Sequence, residues 1–149
     1  MPSDPPKYSL LEIERRWRID PENLPDLDGL PFQDIEDRYF LGTRLRLRRI
    51  TSPLCPPVLK LCKKYGPTSN VTEPITNIYL DESEYSLFKS IRAEVVRKRR
   101  YAYAGGSLDL FDHRGPVFEV EFSSEADAIA YAPPDFVGEE DVALPWTSD

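Results

Sequence analysis

EIERRWRI, residues 12–19, sets the architecture of this chain. Read as a strand, whose side chains point alternately to two faces, it puts Glu12, Glu14 and Arg16 on one side and Ile13, Arg15 and Trp17 on the other. The same division returns along the chain. In TRLRLRR (43–49) Arg44, Arg46 and Arg48 oppose Leu45 and Leu47, and in LKLCKKY (59–65) Lys60, Cys62 and Lys64 oppose Leu59 and Leu61. VVRKRRY (95–101) aligns Val96, Lys98 and Arg100, while FEVEF (118–122) sets Glu119 and Glu121 against Phe118, Val120 and Phe122.

Charged faces that merely meet water usually mix signs, whereas each of these is acidic or basic in blocks. Like charges two residues apart on a strand repel, so something must repay holding them together. A closed barrel with a charged lumen and an apolar outer face meets that demand. Its inward set is Glu12, Glu14, Arg16, Arg46, Arg48, Lys60, Lys64, Lys98, Arg100, Asp109, Glu119 and Glu121. Arginine forks grip phosphate oxygens in pairs and lysine adds a mobile point charge. Carboxylates are the hard oxygen ligands that magnesium or manganese prefers. Together they point to phosphoryl chemistry on a bound polyanion, and the basic side chains are expected to repel one another when the lumen is empty.

Composition frames this reading. The 149 residues, 40% hydrophobic and 30% charged, suit one domain spanning 1–149. A net charge of -7 argues against a nucleic-acid partner. No run approaches the roughly 20 apolar residues of a membrane helix, so no membrane partner is expected. Two cysteines without framework spacing and a start without a signal peptide point to a reducing cytoplasm. Residues 1–8 read as a flexible tail, and 132–149 as a loose acidic closing segment. Strands are expected over 10–19, 38–50, 58–65, 75–80, 93–102, 107–111 and 117–123. Helices are expected over 82–91, entered through Asp81 or Ser83, and 125–131, entered through Ser123 or Ser124 with Asp127 completing a capping box. Many strands with few short helices make a mainly β (α+β) fold, an antiparallel barrel or sandwich with flanking helices. The one histidine, His113 in DHRGP, reads as a solvated loop residue, and no Walker-type glycine loop is present.

The ordered series EIERR, RLRLRR, KLCKKYG, TNIYLDESEY, VRKRRY, LDLF and FEVEFSSEADAIAYAPP resembles the CYTH, or triphosphate tunnel metalloenzyme, superfamily, from about Leu10 to Glu140. That resemblance implies an eight-stranded antiparallel closed β-barrel that binds triphosphates with divalent metal, Mg2+ or Mn2+. It implies Glu12, Glu14, Glu119 and Glu121 as metal ligands, and Glu12, Glu14 and Asp109 as the catalytic acids. It assigns phosphate to Arg46, Arg48, Lys64, Lys98 and Arg100, to which the inward alternation adds Arg16 and Lys60. Arg16 stands where the family's opening E-x-E-x-K has lysine, and Asn77 lies near where several members carry a glutamate. The activity implied is hydrolysis of inorganic tripolyphosphate or a related organic triphosphate, as in the small bacterial inorganic triphosphatases. An adenylate cyclase of the same fold and a non-catalytic polyphosphate- or nucleotide-binding module stay open, as does a homodimer.

Overall fold

The alternating segments become strands in the computed structural model, which describes residues 4–142. They are β1 (Leu10–Arg18), β2 (Phe32–Tyr39), β3 (Leu45–Ser52), β4 (Cys55–Lys64), β5 (Thr72–Tyr79), β6 (Glu94–Tyr103), β7 (Gly106–Phe111) and β8 (Val117–Glu121). Every ladder is antiparallel, and the ring closes in the order β1-β5-β4-β3-β2-β6-β7-β8. Helix α1 (Glu82–Lys89) crosses outside β3 and β4, and α2 (Glu125–Ala130) packs on β1. Both helix starts follow from local chemistry. The Asp81 side chain accepts from the Glu84 N–H while Glu84 accepts from the Asp81 N–H, a full capping box. Ser124 caps α2 by accepting from the Asp127 N–H, so Asp127 contributes its backbone to the cap.

The hydrophobic core lies outside the barrel. Outward side chains Trp17, Leu108, Phe118 and Val120, with Ile19, are sealed by Tyr131, Phe136 and Val137 from the end of the chain and by Leu24 and Leu27 from the loop after β1. A second cluster puts Leu47, Leu59 and Phe40 beneath Tyr85 and Phe88 of α1. Each such side chain contributes about 1.5–3 kcal/mol on burial. With both clusters on the outer face, the lumen is free to be polar.

Three sequence expectations change. The segment 38–50 is two strands, because Phe40–Arg44 forms a turn in which Thr43 donates from its N–H and its hydroxyl to the Phe40 carbonyl and Gly42 takes φ 75°. The strand before that turn, FQDIEDRY, escaped notice because acids fall on both its faces. The closing segment is not loose within the described residues. Where β1 runs past β5, residues 138–141 join its free edge: Arg18 donates to the Glu139 carbonyl, and Gly138 and Asp141 donate to the carbonyls of Arg18 and Arg16. Outside the barrel, Arg15 ties this strap to α2, with its guanidinium on both Glu140 oxygens and on the carbonyls of Ala128 and Tyr131. The remainder of that segment, 143–149, and residues 1–3 of the expected tail lie outside the described residues. None of the helices described is long and apolar enough to cross a membrane.

Candidate functional site

Cross-strand register assembles the lumen. Directly opposed residues share a face. Glu12 stands opposite Glu73, Glu14 opposite Glu121 and Arg16 opposite Glu119. Arg46 lies between Cys62 and Tyr39, and Arg48 between Lys60 and Asp37. Lys64 faces Ile75, Lys98 is flanked by Ile35 and Phe111, and Arg100 pairs with Asp109. Every residue selected from the sequence therefore sits on one face of the closed sheet, the face turned away from both apolar clusters.

The acids gather on the adjacent strands β5, β1 and β8. One carboxylate oxygen from each of Glu12, Glu14 and Glu121 lies within 4.8 Å of the others. Glu12, Glu14 and Glu73 line a cleft of about 570 Å³ bounded by residues 67–73, α2 and the strap. Burial pushes the Glu14 carboxyl well above its ordinary pKa, and the charges of Glu119 and Glu12 push it further. Glu119 is opposed by burial too, yet Arg100 and Lys98 hold it below the usual range, so Glu14 keeps the proton of the hydrogen bond between the two. Glu119 thus links the two groups, hydrogen-bonded to Glu14 and 3.8 Å from Arg100. Glu73 is 5% exposed; one oxygen accepts the Gly66 N–H at 3.1 Å and the other, Oε1, is buried without a hydrogen-bond partner. All-oxygen donors, crowded enough to retain a proton, with a further buried oxygen unspent on the same cleft, suit a hard divalent cation such as Mg2+ or Mn2+.

The bases stand on β4, β3 and β6, with interleaved acids that offset part of the repulsion expected among them; Arg48 and Arg46 still press on Lys60, and Arg48 and Arg100 on Lys98. Asp37 on β2 accepts from Arg48 Nε and Nη2 at 2.6 and 2.8 Å and lies 3.7 Å from Arg46 Nε. Asp109 on β7 accepts from both forks of Arg100 at 2.8 and 2.9 Å and meets Lys98 Nζ at 2.9 Å. Lys64 reaches Glu12 at 3.5 Å, and Arg16 reaches Asp141 of the strap at 3.7 Å. Burial alone would raise Asp109, but Arg100 and Lys98 bring it down to about 2. Burial, with the charges of Arg48 and Arg100 behind it, leaves Lys98 lower than an ordinary lysine even though Asp109 pulls the other way. Lys60 is lowered first by burial and then by Arg48 and Arg46, and it lies 6.0 Å from the ring of Tyr79, itself 69% exposed.

Sequence reading missed Asp37, Glu73 and Asp141. Single acids inside mixed-charge or proline-broken segments carry no periodic signal, and the pairing of Glu73 with Glu12 exists only through the β1–β5 ladder. Asn77 faces Cys62, and its Oδ1 is buried without a hydrogen-bond partner. Cys62 is wholly buried on the inner face, Cys55 is exposed, and both thiols are free.

No family model and no curated protein sequence matches this chain. Solved structures do. The inorganic triphosphatase NE1496 is 26% identical with a TM-score of 0.51, the match covering 87% of this chain and 85% of that one. PH1012 from Pyrococcus horikoshii OT3 is 22% identical with a TM-score of 0.55, over 78% of this chain and 82% of its own. A conserved protein of Pyrococcus furiosus is 20% identical with a TM-score of 0.54, over 91% of this chain and 98% of its own. The two Pyrococcus likenesses bear on fold alone.

Proposed function

We propose that this chain, a closed eight-stranded barrel of the triphosphate-tunnel (CYTH) kind, hydrolyses a triphosphate with the help of Mg2+ or Mn2+. The observation that carries the proposal is the division of one lumen into a carboxylate cluster on β5, β1 and β8 and a guanidinium and ammonium wall on β4, β3 and β6. The likeness to an inorganic triphosphatase at 26% identity supports the same reading. A row of phosphates is the ligand whose charge the wall answers and whose metal the cluster would hold.

In this reading Arg46, Arg48, Lys60, Lys64, Lys98 and Arg100 hold the phosphate chain extended, with Arg16 toward the strap, so that the terminal phosphorus meets water in line. Glu12, Glu14 and Glu121, aided by Glu119, would hold the divalent ion, which supplies charge neutralisation at the phosphate oxygens when bound. Glu73 Oε1, buried and unpartnered beside Glu12, accepts the proton of the attacking water. With both oxygens engaged by Arg100 and Lys98, Asp109 serves by orienting those cations. Tyr79, exposed near Lys60, offers a flat surface to an organic group and makes a nucleoside or other organic triphosphate the second reading.

The deciding experiment is phosphate release from tripolyphosphate, ATP and thiamine triphosphate with Mg2+ or Mn2+, alongside an assay for cyclic AMP. Release that depends on metal and disappears in Glu14→Gln is expected. Cyclic AMP from ATP would mean a cyclase. Tight binding without turnover would mean a non-catalytic module, and no binding at all would end the tunnel reading.

A further inference from the structure

Asp37 takes no part in the steps above, yet it is 1% exposed and lies at the centre of the basic wall. It stands opposite Arg48 across the β2–β3 ladder, and Lys98 sits on the neighbouring strand opposite Ile35, two residues away. Both Asp37 oxygens are engaged by Arg48, at 2.6 and 2.8 Å, and Arg46 Nε is 3.7 Å from one of them. A buried ion pair is a poor way to stabilise a barrel, since apolar residues of equal volume serve as well or better. What the pair supplies, and apolar residues do not, is orientation. With Nε and Nη2 held, the guanidinium plane of Arg48 has one setting, and Nη1 is the end not engaged by Asp37.

We propose that Asp37 is the positioning residue of the phosphate wall: it fixes Arg48 so that Nη1 presents to the substrate, and its charge keeps the resting lumen from capturing orthophosphate. The inference rests on the triphosphate reading and extends it to selectivity. A lone orthophosphate meets a wall whose charge Asp37 has partly cancelled. A longer polyanion also reaches Lys60, Lys64 and Arg100 and outweighs that loss. Asp37 never touches substrate; it acts through Arg48 and, by its charge, through Arg46.

Asp37→Asn keeps the shape and removes the charge. It is expected to tighten orthophosphate binding by about tenfold, the scale of one added charge contact in a partly buried site. Its kcat on tripolyphosphate is expected to fall by on the order of a hundredfold, as when a reacting group is misplaced by about 1 Å, while KM stays level or drops. Should this variant fold poorly, Arg48→Gln and the double variant Asp37→Asn/Arg48→Gln keep the test intact, because the double change removes both charges together. The double variant should be no slower than Arg48→Gln alone, since the residue acts through that arginine. An Asp37→Asn protein with wild-type kcat and wild-type orthophosphate affinity, or losses that simply add in the double variant, overturns the inference while leaving the triphosphatase reading in place. A wild-type protein that binds no triphosphate overturns that reading, and this inference with it.

Discussion

Glu14 carries the sharpest electrostatic consequence of the fold. Burial, and then the charges of Glu119 and Glu12, hold its pKa well above the usual carboxylate value. The folded protein therefore keeps a proton that the unfolded chain releases, and stability falls as pH rises from the ordinary carboxylate range through the raised value. In metal-free buffer Glu14→Gln should melt higher than wild type at neutral pH, and the gap should close as pH drops below about 4. Equal melting temperatures at neutral pH would mean that Glu14 is ionised at no cost. The same substitution should abolish divalent-metal binding, and in wild type metal uptake should release protons, which calorimetry in buffers of different ionisation enthalpy detects. On the opposite wall, Arg46 is the arginine that Asp37 leaves least engaged, its Nε buried without a hydrogen bond. Arg46→Ala should weaken triphosphate binding by about 1.5–3 kcal/mol, the value of one charge-assisted contact, and titration with a non-hydrolysable triphosphate measures it.

Among the elements, β1 does the most, because it serves the lumen with one face and the outer core with the other. Its edge is completed by the strap at 138–141, and Arg15 joins strap to α2 through Glu140, Ala128 and Tyr131. A cation on the last carbonyls of a helix is favourable for the helix as well as for the strap. Arg15→Ala should cost about 2 kcal/mol in urea unfolding. In hydrogen exchange the amides of Arg18 and Asp141 should open first; uniform loss of protection would place the strap in the global core instead. The β6–β7 hairpin offers the opposite sign. Its two-residue turn holds Ala104 at φ 51° and Gly105 at φ 80°, a geometry that asparagine followed by glycine adopts with less strain. Ala104→Asn should stabilise by roughly 0.5–1 kcal/mol with the lumen untouched, checked by denaturation and by unchanged ligand affinity.

At the scale of the whole molecule, the tunnel couples anion binding to folding. Tripolyphosphate that binds only the closed barrel stabilises it by about 2.7 kcal/mol at a hundredfold excess over Kd. For a chain of this size that is a rise in Tm of roughly 5–10 °C. Orthophosphate should shift Tm much less, and sodium chloride at matched ionic strength should give no such rise. Equal shifts from all three would mean screening of surface charge, and the lumen reading would fail. The interleaved acids sharpen this comparison: with Asp37, Asp109 and Glu12 already answering part of the basic charge, added salt has less resting repulsion left to relieve. Alternation is a local property, so the sequence by itself determined that Glu12, Glu14, Arg46, Arg48, Lys98 and Glu119 face one way and Trp17, Leu47 and Phe118 the other. Local patterns also gave most strand positions and narrowed the α1 cap to Asp81 or Ser83, of which the structure uses Asp81. Which acid meets which base was decided only in the tertiary structure, because it depends on register between strands far apart in the chain and on closure of the ring. Asp37 against Arg48, Glu73 beside Glu12 and the strap on Arg16 are all of that kind. A single charge inside a mixed-sign strand has no period to reveal it, and its meaning arises only when the neighbouring strand puts a partner across from it.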